Sequence, residues 1–247
     1  MTFSVTDAIT TGLDRTLKRN SLLLGSVFFV LAALNGLVTP AIVEPFVPEE
    51  AAGTPPLDIS PLIAVLIYVL VLLAMSVVTV AALRTFVSEE TETIPAAYYT
   101  ENVAFAVLNL LVGGIAFAIL VSLGFVALVV PGFFLLVTLY FWSVFVAVEN
   151  DNFVTAFKRS WGLTKGNRVR LFFLGVAVVL LAIAITVPFS LPAGLVGGAV
   201  GALVTGFSTA IISIFGLATA AAAFVQLRDL EDEETGGPDS TPQATPA

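Results

Sequence analysis

The stretch ENDNFVTAFKRSWGLTKGNRVR, Glu149 to Arg170, is a charged, amphipathic island between two long segments that carry no charge. It holds five of the ten Lys and Arg residues of the 247-residue chain. The uncharged segments on its two sides are residues 103–148 and 171–227. Each is far longer than the apolar run of a helix or strand in a soluble domain, so these flanking segments decide the class of fold.

Composition indicates the same class. Hydrophobic residues make up 58% of the chain, charged residues make up 11%, and the mean hydropathy is +1.03. One soluble core cannot hide that much apolar surface, so a lipid bilayer is the solvent that fits this chain. We therefore predict an all-α, polytopic integral membrane protein of the cell membrane.

The absence of Cys and His excludes several kinds of chemistry. Without Cys there is no disulfide framework, and without His the chain lacks the commonest metal ligand and the commonest general base near neutral pH. We expect no catalytic, cofactor-binding or metal-binding residues, no cofactor and no enzymatic activity. The net charge of -8 opposes binding to nucleic acid. This acidic surplus, with only three Lys, indicates a salt-adapted, halophilic cytoplasm.

Six apolar segments are long enough to cross a bilayer. Residues 103–148 would form a helix of about 69 Å, about twice the thickness of the hydrocarbon layer, so this segment must fold back. We predict its turn at Pro131-Gly132, and a second break at Pro188, Pro192 and the glycines between residues 194 and 206. The predicted spans form three hairpins and cover about 21–38, 62–83, 103–123, 133–148, 171–187 and 203–225.

The segments outside the spans are polar or amphipathic. Residues 39–61 contain six Pro and four acidic residues, which predicts an exposed loop without regular helix. Apolar residues recur at every fourth position from Val5 to Leu17, which predicts an amphipathic helix on the membrane surface. After a membrane domain over 1–230, residues 231–247 are acidic and Pro-rich, which predicts a disordered cytoplasmic tail.

Two features of this arrangement have alternative interpretations. The first apolar segment is either a span or a cleaved signal peptide with a basic start, although Thr39-Pro40-Ala41 is a poor cleavage site; we treat it as a span. Residues 193–202 are either an outer turn or a short re-entrant piece.

Within the charged island, apolar and basic residues lie on different faces of one predicted helix. The apolar face consists of Phe153, Val154, Phe157, Trp161 and Leu163, and the basic residues lie opposite them. Such a helix should lie in the headgroup layer, where basic side chains pair with lipid phosphates. The candidates for contact with headgroups and the interface are Phe157, Lys158, Arg159, Trp161, Lys165, Arg168 and Arg170. The alternative is that these charges only set the topology.

Inside the predicted spans, the ionisable side chains needed for proton relay are missing. The polar exceptions are Asn35 and Asn109, together with scattered Ser and Thr. Both Asn side chains are candidates for hydrogen bonds between helices.

The segment PGFFLLVTLYFWSVFVAVENDNFVTAFKRSWGLTKGNRVRLFFL, residues 131–174, carries four features in order: a Pro-Gly before a span, an acidic residue at the end of that span, a KRSW patch and a Lys-Gly-Asn turn. It resembles the membrane domain associated with glycerophosphoryl diester phosphodiesterases and its stand-alone relatives of unknown function. The resemblance implies the fold and the membrane placement. It does not imply hydrolysis, because the catalytic domain and the histidines of such a phosphodiesterase are missing from these residues.

These observations favour one class of function. We expect a non-enzymatic membrane protein, a membrane organiser or an accessory subunit, that engages lipid headgroups or a membrane-protein partner. The alternative is a permease or exporter for an apolar or lipid-like substrate. We expect no nucleic-acid partner.

The charge distribution predicts that both termini face the cytoplasm, because all ten Lys and Arg residues then lie on the cytoplasmic side. The absence of Cys makes this testable with single cysteines at Glu50 and Ser160. A membrane-impermeant maleimide should reach the two positions from opposite sides in intact cells and inverted vesicles. Labelling of both from one side would contradict the predicted orientation.

Overall fold

The structure is a computed structural model that describes residues 2–46, 56–88 and 93–235. All the regular elements in these residues are helices, which confirms the predicted all-α class. A short 3-10 helix, Glu44–Phe46, follows the second of the α-helices. The α-helices are α1 Val5–Thr16, α2 Arg19–Val43, α3 Pro61–Val87, α4 Ala97–Thr100, α5 Val103–Ala127, α6 Val129–Thr138, α7 Trp142–Glu149, α8 Phe153–Leu163, α9 Arg168–Val196 and α10 Gly198–Thr235.

Six apolar helical segments among the described residues are long enough to cross a membrane, as predicted. The fourth of them consists of α6 and α7, which follow each other with a break between them. The six segments are Arg19–Phe46, Pro61–Val87, Val103–Ala127, Val129–Glu149, Arg168–Val196 and Gly198–Glu233. They agree with a multi-pass membrane protein.

The prolines interrupt these helices less than the sequence predicts. Pro40 lies inside α2, so helix continues into the segment predicted to be a loop. Pro188 and Pro192 lie inside α9. Pro131 lies in the first turn of α6, where its missing N–H is not needed. An internal proline removes one backbone hydrogen bond. Ending the helix there would leave more backbone groups unpaired, because lipid offers no water to bond them, so the helix continues past the proline.

The turn of the second hairpin lies at another residue than predicted, whereas the turn of the third lies among the predicted glycines between residues 194 and 206. Leu128, with extended backbone at φ -166° and ψ 153°, separates α5 from α6 in place of Pro131-Gly132. Gly197 and Gly198, with φ of 61° and 55°, separate α9 from α10. This left-handed region favours glycine because it has no Cβ. Residues 193–202 are therefore the ends of two long helices and the turn between them, with no separate re-entrant piece.

The acidic end of the chain also differs from its prediction. Residues 231–235 belong to the last turns of α10 instead of a disordered tail. The rest of the predicted tail, residues 236–247, lies outside the described residues.

Helix α10 is the centre of the bundle, because α1, α2, α3 and α9 all pack against it. Glycines let the helix backbones approach closely. A Cβ added at Gly206 of α10 would lie 2.7 Å from the backbone nitrogen of Ala33 in α2. A Cβ added at Gly12 of α1 would lie 2.3 Å from Thr219 Oγ1 of α10. In lipid the hydrophobic effect does not drive helix association, so such close packing is the main source of attraction.

Helix α1 is the predicted amphipathic helix, and part of its surface packs against the bundle. Its Gly12 and Ala8, with the preceding Phe3, are buried, and α1 contacts α9 and α10. Leu13 and Leu17 of the predicted apolar stripe are 51% and 69% exposed. Val5 and Ile9 of the same stripe pack against the core, so the docked face of α1 combines these two residues with small ones.

The packing of α10 generates a prediction with a control in the same helix. Gly206→Ala should destabilise the protein by about 1–3 kcal/mol, because its Cβ would collide with the backbone of α2. Gly216→Ala should be neutral or stabilising by up to about 1 kcal/mol, because nothing lies within 4 Å of the added Cβ. The measurement is the thermal midpoint of unfolding in detergent. Equal midpoints for the two variants would contradict the packing.

Candidate functional site

Helix α8 is held at its start by two asparagines. Asn152 caps the helix, and its Oδ1 accepts a hydrogen bond of 3.0 Å from the backbone N–H of Thr155. Asn109 of α5 accepts a bond of 3.0 Å from the N–H of Phe153 and donates to the carbonyl of Phe105 at 2.9 Å. These bonds satisfy the backbone N–H groups of Phe153 and Thr155, which have no partner within the helix. Asn109 therefore makes an interhelical hydrogen bond that positions α8.

Asn35, the other predicted interhelical residue, bonds within its own helix. Its Oδ1 accepts a hydrogen bond of 3.1 Å from Thr39 Oγ1, one turn further along α2. Among the described residues it makes no hydrogen bond to another helix.

The middle of α8 supports the break between α6 and α7. Ser160 Oγ donates to the carbonyl of Thr138 at 2.9 Å and accepts from the N–H of Phe141 at 3.1 Å. A broken helix at membrane depth needs such partners, because freed backbone groups find no water there. Ser160 is fully buried, although the sequence places it inside a basic patch.

The buried face of α8 is made of Ala156, Ser160 and Leu163. Of the predicted apolar face, Leu163 alone is fully buried, whereas Val154 and Trp161 are 46% and 43% exposed. Phe157 is half-buried and packs edge-on against Trp142, with ring centres 5.5 Å apart. Small residues again allow the closest approach to the neighbouring helices, so the larger ones lie at the edges of the contact.

Arg159 is half-buried and is paired with acidic residues of the protein. It pairs with Glu149, with Asp151 at 2.8 Å, and its guanidinium lies 4.5 Å from the ring centre of Phe145. Burial by itself lowers the pKa of Arg159, but its hydrogen bonds to Asp151 and Glu149 outweigh burial, so the pKa is raised. Glu149 also pairs with Arg228 of α10 at 3.5 Å. Arg159 therefore joins α8 to α7 and, through Glu149, to α10, in addition to its predicted place at the interface.

The other basic residues of the island lie on the surface. Lys158, Lys165 and Arg170 are exposed and form no ion pair with another described residue. Arg168 is half-buried, and its guanidinium lies 5.1 Å from the ring centre of Trp161 and 4.9 Å from that of Phe134. We call this surface the basic face; it consists of Lys158, Trp161, Lys165, Arg168 and Arg170.

A further site residue, Arg84, has a role that the sequence does not reveal. It lies in the last turn of α3, is 8% exposed, and donates four hydrogen bonds of 3.2 Å or less. Their acceptors are the carbonyls of Ala147 at 2.6 Å, Glu101 at 2.8 Å and Tyr98 at 3.2 Å, and Asn150 Oδ1 at 2.9 Å. Arg84 thus ties α3 to α7 and to the segment before α5. Its sequence signal is that it is the only charged residue between positions 59 and 88.

Metal ligands do not gather at this site. Within residues 2–46, 56–88 and 93–235, no three acidic side chains lie close enough together to hold a metal ion. The described site instead presents fixed positive charges beside aromatic rings.

Comparison with protein families adds one finding. The sequence matches a family described as a domain of unknown function, DUF7847, over residues 3–227. The chain belongs to the DUF7847 family. The match includes the basic face, Arg84 and nearly all of the helical bundle, so these features lie inside the DUF7847 domain.

The remaining comparisons are negative. Neither a search of curated proteins nor a search of solved structures finds a match. The family match supports the coarser expectation, a domain whose function is unknown. It shows no link to glycerophosphoryl diester phosphodiesterases, which the resemblance over residues 131–174 had implied.

The geometry around Arg84 generates a stability prediction. Arg84→Gln should leave buried carbonyls without donors, at a cost of about 1–3 kcal/mol for each such group. Arg84→Lys should be only slightly less harmful, because a lysine ammonium cannot reproduce the planar guanidinium fork. Arg170→Gln, at an exposed position, should change stability by no more than about 0.5 kcal/mol. The measurement is the thermal midpoint in detergent, and an Arg84→Lys protein as stable as the wild type would contradict the assigned role.

Proposed function

We propose that this protein is a non-enzymatic membrane protein that organises lipids, or supports a partner protein, by binding anionic headgroups at the basic face. This proposal rests on one observation: some basic residues of the charged island are paired with acidic side chains and others are not. Arg159 is neutralised by Glu149 and Asp151, whereas Lys158, Lys165 and Arg170 have no acidic partner among the described residues. Unpaired basic side chains beside apolar helices are typical of a surface that meets lipid phosphates.

The aromatic residues of the basic face support a phosphate ligand. Trp161 lies under the guanidinium of Arg168, which also donates to the Trp161 carbonyl at 3.3 Å. Stacking holds the guanidinium in place, and its planar fork binds phosphate oxygens in pairs. Trp residues also favour the headgroup level of a bilayer.

The proposal also specifies which leaflet of the membrane the basic face contacts. If both termini are cytoplasmic, the basic face meets the leaflet that carries the anionic lipids. Each basic side chain near such a surface contributes about 1 kcal/mol at low salt. A salt-rich cytoplasm would weaken this attraction, since its screening length is shorter.

The alternative function, a permease or exporter for an apolar or lipid-like substrate, has one observation in its favour. An open, groove-like cavity of about 590 Å³ lies between α2, α9, α10 and Pro56, at the end of the bundle away from Arg84. Its lining includes Ser190, Thr205, Gly194 and Pro40 and no charged residue. Its volume is in the range of small-molecule sites.

Binding to anionic lipid is expected to stabilise the protein through the basic face. In detergent, added phosphatidylglycerol should raise the thermal midpoint more than phosphatidylcholine does, because ligand binding to the folded state stabilises it. A variant with Lys158→Gln, Lys165→Gln and Arg170→Gln should lose most of this difference. The matched control, Lys158→Arg, Lys165→Arg and Arg170→Lys, keeps the charges and should retain it. High salt should reduce the effect in the wild type.

Two results would contradict the proposal. One is an equal response of the glutamine variant and the charge-conserving control to phosphatidylglycerol. The other is movement of a fluorescent lipid analogue across liposomes that the glutamine variant retains and Gly194→Leu abolishes, because this leucine would fill the cavity. The second result would favour the permease.

A further inference from the structure

The hairpin formed by α5, α6 and α7 packs against one end of the bundle. On α3, Val80 and Leu83 belong to the same buried cluster as the hairpin, and Arg84 binds the carbonyl of Ala147 in α7. Towards the other end of α3, Leu62, Leu66 and Leu70 are 71%, 59% and 65% exposed. In the part of the chain that the structure describes, the hairpin therefore does not run alongside α3.

Ring contacts show which residues of α9 and α10 lie at this end of the bundle. These two helices are antiparallel, and Phe189 packs against Phe207 with ring centres 5.8 Å apart. Phe172 precedes Phe189 by 17 residues, and Phe224 follows Phe207 by 17 residues. Phe172 and Phe224 therefore lie at one level, about 25 Å along the helices from the Phe189 pair.

The hairpin contacts both of these residues. Phe145 of α7 lies 5.1 Å from Phe224, and Phe133 of α6 lies 5.7 Å from Phe172, measured between ring centres. Phe133 and Phe145 are 12 residues apart, or about 18 Å of helix, yet they meet the bundle at one level. Hence α6 and α7 run across the bundle axis instead of along it.

Helix α5 follows the same course, because it pairs with α6 and α7 along its length. A Cβ added at Gly124 would lie 3.0 Å from Gly132 Cα, and Phe117 stacks on Trp142 with ring centres 6.0 Å apart. The tip of the hairpin, Leu128, is therefore close to the level of Phe133. In a hairpin that crossed the bilayer beside α9, Phe133 would instead lie near Leu191, about 28 Å further along α9.

The chemistry of the tip is that of a surface covered by lipid. Residues 123–137 contain no polar side chain. Val126, Leu128 and Val130 are 84%, 69% and 77% exposed. A tip of this kind would be unfavourable in water, whereas acyl chains cover it without cost.

We infer that the hairpin of α5, α6 and α7 is inserted into a single leaflet and does not cross the membrane. The chain then crosses four times, through α2, α3, α9 and α10, and the ligand of the exposed hairpin is the acyl chains of the leaflet at the Arg84 end. The charge distribution predicts this leaflet to be the cytoplasmic one. The ion pairs from Arg159 through Glu149 to Arg228 hold α8 on the headgroup side of the hairpin.

This arrangement has a physical consequence for the bilayer. An apolar hairpin in one leaflet takes up area among its acyl chains and leaves the other leaflet unchanged. The protein would therefore act as a wedge, independently of whether the basic face binds headgroups. Four crossings, like six, keep the two termini on one side.

Cross-linking between two cysteines tests the position of the hairpin in the Cys-free chain. In native membranes, a short bifunctional thiol reagent should bridge Phe133→Cys and Phe172→Cys. The pair Phe189→Cys and Phe207→Cys, with a similar ring separation of 5.8 Å, is the positive control. The pair Phe133→Cys and Leu191→Cys should not cross-link. Bridging of Phe133→Cys to Leu191→Cys, or no bridging to Phe172→Cys while the control pair reacts, would overturn the inference.

A second experiment measures whether the tip of the hairpin, Leu128, is accessible to a water-soluble thiol reagent. Asp58 and Lys165 are exposed and serve as reference sites, because Glu50 lies outside the described residues and Ser160 is buried. In sealed vesicles, an impermeant maleimide should label Asp58→Cys and Lys165→Cys from opposite sides and Leu128→Cys from neither. After denaturation in detergent, Leu128→Cys should label fully. Labelling of Leu128→Cys in sealed vesicles from the Asp58 side would overturn the inference.

Discussion

Within lipid, every backbone N–H and C=O group needs a partner that the protein itself supplies, and most of this structure follows from that constraint. Because of this constraint, α2 continues through Pro40 and α9 continues through Pro188 and Pro192, since a continuous helix leaves the fewest backbone groups unpaired. Where a helix does break in its middle, between α6 and α7, Ser160 of α8 supplies the missing partners. The charged island is thus joined to the apolar hairpin that precedes it.

The same constraint explains where small residues and charges lie. Because apolar side chains gain little from leaving lipid, helices associate through close backbone approach, as at Gly206 between α10 and α2 and at Gly12 between α1 and α10. A buried charge must be fully bonded, and Arg84 meets several acceptors; the partly exposed Arg159 is paired with Glu149 and Asp151. The basic residues left over by this packing form the basic face.

The basic face and the transverse hairpin lie at one end of the bundle, and together they suit the two parts of a lipid leaflet. Fixed positive charges beside Trp161 fit the phosphate layer. The exposed apolar residues from Val126 to Val130 fit the acyl chains beneath it. A membrane organiser needs these two properties and no reactive group, which agrees with a chain that contains neither Cys nor His.

The sequence by itself determined the all-α class, the six apolar helices and the set of candidate basic residues, because transfer into lipid depends on each local segment alone. Only the tertiary structure decided that Arg159 is paired while Lys158 beside it is exposed, since this depends on Glu149 and Asp151 meeting one side of α8. The structure also located the turn at Leu128, and the course of α6 and α7 across the bundle depends on contacts between distant residues. Hydropathy measures how much a segment favours lipid and is the same whether a helix lies along the bundle axis or across it.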